Sequence, residues 1–114
     1  MIKESYCSYE ISKLLKEKGF DGEIHTTYDD EGYTQPSITL QMACAWLREK
    51  GIEIDTYLSH ITEEFGKKTK HYVFSIVDLN TDKDYPEYSE DYHYYPTYEE
   101  AVEAALKYSL ETLL

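Results

Sequence analysis

The sequence predicts a single α+β domain in which three helices pack on one face of a small, mainly antiparallel sheet of three or four strands, in the order α-β-α-β-β-α. Three observations predict it. Apolar residues recur at helical spacing near the start, in the middle and at the end of the chain, and each such stripe needs a layer to bury it. Two runs, Ile52 to Ser59 and Tyr72 to Leu79, have strand patterning and flank a turn centred on Gly66, as the arms of a hairpin do. The 114 residues are one domain's length, enough for one core and too few for two.

The first helix is expected from about Ser8 to Lys18, with Ile11, Leu14 and Leu15 on one stripe and Glu10, Lys13, Lys16 and Glu17 away from it. Gly19 ends it in the left-handed conformation, and Phe20 folds back onto the final turn. From Glu23 to Tyr28, Ile24, Thr26 and Tyr28 alternate with polar neighbours as in a half-buried strand, and Asp29 to Gly32 is a turn. The centre of the chain is PSITLQMACAWLREKGIEI, Pro36 to Ile54. From Leu40 to Leu47 only Gln41 is polar, so the helix there is expected to be largely surrounded by protein. Thr39 caps it, Pro36 sets its approach, and Lys50, Gly51 and Ile52 repeat the ending of the first helix.

Ile52, Ile54, Thr56 and Leu58 then alternate with Glu53, Asp55, Tyr57 and Ser59, giving a strand with one face inward. Glu63 to Lys68 reverses the chain, and Tyr72 to Leu79, apolar on both alternating sets, belongs in the middle of the sheet. Asn80 to Pro96 is acidic and tyrosine-rich, with a short edge strand at Tyr92 to Tyr95. The last helix opens on a capping box, Thr97 with Glu100, and turns Val102, Ala105, Leu106, Leu110 and Leu113 inward. Glu103, Lys107 and Glu111 run down its other side as a solvated face.

Acids outnumber bases 23 to 11, for a net charge of −12, so a phosphate backbone is repelled and nucleic acid is not an expected partner. Cations gather only at Lys13, Lys16 and Lys18 and at Lys67, Lys68 and Lys70. Neither a signal-peptide run nor an apolar stretch approaching the ~18 residues of a membrane span occurs, which predicts a cytoplasmic protein with no membrane partner. Cys7 and Cys44 are too few for a disulfide framework and read as reduced thiols.

Three stretches carry a resemblance: YEISKLLKEKGF (Tyr9 to Phe20), QMACAWLREKGIEI (Gln41 to Ile54) and YEEAVEAALKYSLETLL (Tyr98 to Leu114). In order and spacing they resemble a group of small acidic proteins encoded by Bacteroidales and by their phages and mobile elements. The group has no established activity. The resemblance implies a setting, a gut bacterium or its phage, and brings no catalytic residue with it.

Candidate chemistry is sparse. Asp78, Asn80, Asp82 and Asp84 fall at every second position, the spacing of the first oxygen ligands of a calcium loop. Lys83 then stands where such a loop needs glycine, and Ser89 stands where it needs a bidentate glutamate, with Glu90 one place late, so an acidic turn is the simpler reading. His60 and His71 face each other across the predicted hairpin, but a zinc site wants three or four ligands and neither cysteine is near in sequence. The five glycines sit at helix ends and turns, and none forms a phosphate-cradling loop. No catalytic residue or cofactor is assigned.

Surface remains. Tyr85, Tyr88, Tyr92, Tyr94, Tyr95 and Tyr98 lie within fourteen residues, interleaved with Glu87, Glu90 and Asp91, and aromatic anchors among polar groups are what interaction hot spots are made of. The leading expectation is a non-catalytic protein that binds another protein through this loop, with Tyr85, Tyr88, Glu90, Asp91, Tyr92, Tyr94 and Tyr95 as contacts. The competing expectation for the same rings is that they roof the core. A homodimer through the uncovered sheet face follows if Tyr57 and Ile61 share it with rings of the loop. The alternative function is a small-molecule or metal-binding domain whose pocket on that face is lined by Tyr57, His60, His71 and Tyr92.

Overall fold

Ser8 starts the first helix, α1 (Tyr9–Glu17), by turning its hydroxyl to accept from the Ile11 amide. Gly19, at φ +94°, ends it, and the Phe20 amide closes back on the Leu15 carbonyl at 2.9 Å. The protein is seen here as a computed structural model that describes residues 5–22, 25–28, 34–85 and 94–114, with backbone only at 25–28 and 34–37. The expected turn at Asp29 to Gly32 lies outside those residues.

After α1 come two short strands, β1 (His25–Tyr28) and β2 (Thr34–Ser37), paired antiparallel as a separate two-stranded sheet. β2 corrects the expected order. Pro36 sits inside it opposite Thr26, where a four-residue strand tolerates a residue that cannot donate. The central helix, α2 (Leu40–Glu49), is capped by Thr39, whose hydroxyl accepts from the Met42 amide. Leu40, Ala43, Trp46 and Leu47 are buried, while Met42, Cys44 and Ala45 are only half-buried. The expectation of a helix largely surrounded by protein is therefore corrected, because its Cys44 side faces a groove.

Gly51, at φ +84°, turns the chain into β3 (Ile52–Glu64), which pairs antiparallel with β4 (Lys67–Asp78). β5 (Lys83–Tyr85) pairs on the other side of β4, giving the order β3-β4-β5 with β4 central, as its two apolar faces predict. Both long strands outrun the expected limits, since pairing continues to Glu64 and Lys67 through Thr62 opposite Thr69 and Glu63 opposite Lys68. Of the expected edge strand, Tyr95 makes one antiparallel bridge to Tyr72, and Tyr92 and His93 lie outside the described residues.

The last helix, α3 (Tyr98–Tyr108), is capped by Thr97 and runs on into a π-helical turn at Ser109–Leu113. Leu15, Leu47, Leu106 and Leu110 of the helices share one buried core with Ile52 and Ile76 of the sheet, α2 and α3 lying on the sheet and α1 against α3 and β2, with Trp46 edge-on to Phe20 at 5.8 Å. The face of α3 expected to be solvated does structural work. The Ser8 amide and hydroxyl both donate to the Glu103 carboxylate, and Lys107 pairs with Glu10 at 3.2 Å, so this face clasps the start of α1.

Candidate functional site

Beyond Leu58 and Tyr72 the β3–β4 hairpin leaves the helices behind. Every residue from Ser59 to Lys70 is exposed, so an arm roughly 20 Å long, at about 3.4 Å per residue, projects with both faces in solvent. Its tip is a two-residue turn, Phe65 and Gly66, with φ of 52° and 77°. Both central residues in the left-handed region make the hairpin turn that Asn-Gly or Gly-Gly fits without strain. Phe65 fits it badly, and its side chain is wholly in water at 106% relative exposure.

A bulge at the base decides which residues share a face. Leu58 pairs with Tyr72 and His60 with His71, leaving Ser59 without a partner. The register then puts Tyr57, His60, Thr62 and Glu64 on the face turned away from the helices, together with Lys67, Thr69, His71 and Val73. Leu58 and Ile61 fall on the opposite, helix-side face. The expectation that Ile61 shares a face with Tyr57 is corrected, because one unpaired residue inverts the alternation.

On the open face the base of the arm is an aromatic shelf. His60 and His71 stack at 4.5 Å and 15°, and Tyr94 stands edge-on to them at 5.0 and 5.8 Å. Ser59 Oγ lies 3.1 Å from His60 Nδ1, and Thr62 Oγ1 lies 2.9 Å from His71 Nε2. Tyr57, one position further along this face, is half in solvent above the sheet. The two imidazoles face each other as the hairpin predicts, but they stack instead of converging their nitrogens on a point. Among the described residues no three His, Cys, Asp or Glu side chains cluster as metal ligands.

The other predicted residues separate. Tyr85 is half-buried 5.7 Å from Tyr108, and Tyr95 is half-buried 6.1 Å from Phe74, with burial pushing its hydroxyl above the ordinary range. These two roof the core. Tyr94 and Tyr98 are exposed, Tyr98 edge-on to Tyr72. Tyr88, Glu90, Asp91 and Tyr92 lie outside the described residues, so of the lining expected for a pocket Tyr57, His60 and His71 share the open face and Tyr92 is not described. Asp78 ends β4, Asn80 and Asp82 lie in the β4–β5 turn, and Asp84 lies in β5. Asp78 accepts from the Asn80 amide at 2.9 Å, Asn80 Nδ2 donates to the Lys50 carbonyl at the end of α2, and Asp82 takes φ +58°. Two of the four side chains are thus spent on holding the turn.

Both thiols are held protonated. Burial, then the charges of Glu103 and Cys44, push the Cys7 thiol up to about 12, and burial raises Cys44 against the opposing pull of Arg48. Neither has thiolate character for nucleophilic chemistry. Cys44 lines a groove of about 370 Å³ between the starts of α2 and α3, with Leu40, Ile54 and Val102 as apolar lining and Arg48 and Glu99 also lining it.

Sequence reasoning missed Phe65. The signal was present as an aromatic residue set among Glu63, Glu64, Lys67 and Lys68, where a turn ordinarily takes polar residues. No protein-family model, no curated protein and no solved structure matches the chain.

Proposed function

We propose that this chain is a non-catalytic protein-binding domain that engages its partner through the β3–β4 arm, with Phe65 as the anchor and Tyr94 at the base of the same surface. One observation carries the reading. Phe65 costs stability twice, by exposing a whole aromatic ring and by holding a left-handed backbone that glycine or asparagine adopts more easily. A buried anchor on a partner offsets both costs, and aromatic residues are what such anchors are made of. The reading moves the centre of binding from the tyrosine-rich segment to the arm and keeps Tyr94, where segment and arm meet.

The test is affinity capture of the tagged chain from lysate of a Bacteroidales strain, the setting that the sequence resemblance suggests, at low and moderate salt. Wild type is compared with Phe65→Asn and with Tyr94→Ala. The expected outcome is a specific protein that disappears with Phe65→Asn and weakens with Tyr94→Ala. A captured set that Phe65→Asn leaves unchanged removes the arm from the account.

A further inference from the structure

We infer that the groove between α2, α3 and β3 binds a small apolar monocarboxylate that carries a hydroxyl at its far end, with Arg48 taking the carboxylate and Thr56 the hydroxyl. The site is separate from the arm, and the inference goes beyond the protein-binding reading without resting on it. Three features support it.

The first is an unmet hydrogen bond. Thr56 Oγ1 is buried and has no hydrogen-bond partner among the described residues. Thr56 pairs with Phe74, stands on the helix-side face of β3 and lines the groove. A buried hydroxyl left in that state costs stability, and a ligand hydroxyl, which both donates and accepts, supplies what it lacks.

The second is a guanidinium fork left open. Arg48 lines the groove and meets Glu53 by one edge, Nε to Oε2 at 3.4 Å, so its terminal nitrogens make no hydrogen bond among the described residues. Its charge reaches the groove wall, where it pulls against the burial that raises the Cys44 thiol. A carboxylate is the group whose geometry such a fork matches.

The third is layout. The Leu40 amide donates to the Ser5 carbonyl, so Ser5 marks the start of α2, and Glu99 lies one helical turn ahead of Glu103, which holds Ser8. Glu99 therefore belongs to the Ser5 end of the groove. Arg48 is seven residues past Gln41 on α2, roughly 10 Å at 1.5 Å each, so base and acid stand at opposite ends. Cys44, Ile54 and Val102 line the stretch between them without charge. Thr56 lies two residues past Ile54 and three past Glu53, roughly 7 to 10 Å at 3.4 Å each, which sets the distance from the ligand's carboxylate to its hydroxyl. The groove's volume of about 370 Å³ holds a molecule of that length. A second carboxylate at the other end would meet Glu99, so one is favoured and two are not.

Titration of the full chain with para-hydroxyphenylpropionate, followed by the methyl resonances of Leu40, Ile54 and Val102, tests the inference. Phenylpropionate lacks the hydroxyl, and para-propylphenol lacks the carboxylate. The expected result is a saturable shift of those methyls in the submillimolar range, with each of the two lesser probes binding about tenfold more weakly or worse. Arg48→Gln should weaken the full probe to the level of para-propylphenol, and Thr56→Val should bind the two carboxylates alike. Phe65→Asn, which disables the arm, should bind the probe as wild type does, so the two readings fail separately. A full probe that binds no better than either lesser one overturns the inference, as does unchanged binding in Arg48→Gln or in Thr56→Val. If no probe moves these methyls, the groove belongs to an apolar side chain of a partner or of residues 1–4, and the inference is lost.

Discussion

Phe65 is where a single residue says most about this chain. Its left-handed backbone costs about 1 kcal/mol relative to asparagine, and its ring gains nothing from the fold, so Phe65→Asn should raise the melting temperature by a few degrees while abolishing partner binding. Thermal unfolding followed by circular dichroism checks the first half, and a loss of stability there would mean that the ring packs on its own chain. Ser12 makes a smaller point. Its hydroxyl is buried without a hydrogen-bond partner among the described residues, so Ser12→Ala should be neutral or stabilise by about 1 kcal/mol in urea unfolding. Cys7 gives a dependence on pH. The folded thiol keeps its proton up to about 12, whereas an unfolded thiol loses it near 9.0. Its contribution is full below pH 9 and falls across the window up to 12, by up to about 1.4 kcal/mol per pH unit. Cys7→Ala should lack that fall, and urea midpoints of the two proteins across the window measure it.

At the scale of the element, what is local in sequence was legible. Ser8, Thr39 and Thr97 cap the helices as their positions predict, and Gly19 and Gly51 end the first two in the left-handed region. What depends on pairing was not. β2 hides in a polar tetrapeptide containing Pro36, with no alternation to mark it. The bulge at Ser59 leaves no trace in composition, yet it decides that Tyr57 and His60, not Tyr57 and Ile61, share a face. Deleting Ser59 should remove the bulge and leave Leu58–Tyr72 and His60–His71 as consecutive pairs, with Tyr57, His60 and Thr62 still on one face. The expected result is unchanged far-ultraviolet dichroism and partner capture from lysate equal to wild type, and loss of capture would mean that the bulge itself shapes the binding surface. The outer side of α3 was misread for the same reason. Glu103 finds its partner in Ser8, ninety-five residues away in the chain, and helical spacing has no term for that. Glu103→Ala should cost about 1 to 2 kcal/mol and loosen α1, seen as faster amide exchange in residues 9–17.

The whole molecule was legible in class and opaque in outline. Three apolar stripes and two strand runs suffice for an α+β domain with one core, because each stripe has to be buried, the second and third on the sheet and the first against α3. Nothing in the same patterning limits how far a hairpin runs past the core, since Thr62 opposite Thr69 and Glu63 opposite Lys68 stabilise pairing without burying anything. The arm is therefore a property of cross-strand register and turn chemistry, and a function assigned to it comes from shape and exposure. Binding is most directly tested by replacing Phe65 with a benzophenone amino acid and irradiating the chain in lysate, with the same group at the exposed Lys13 as control. The account predicts a covalent protein adduct specific to position 65 in the lysate. No adduct above the Lys13 control would contradict it.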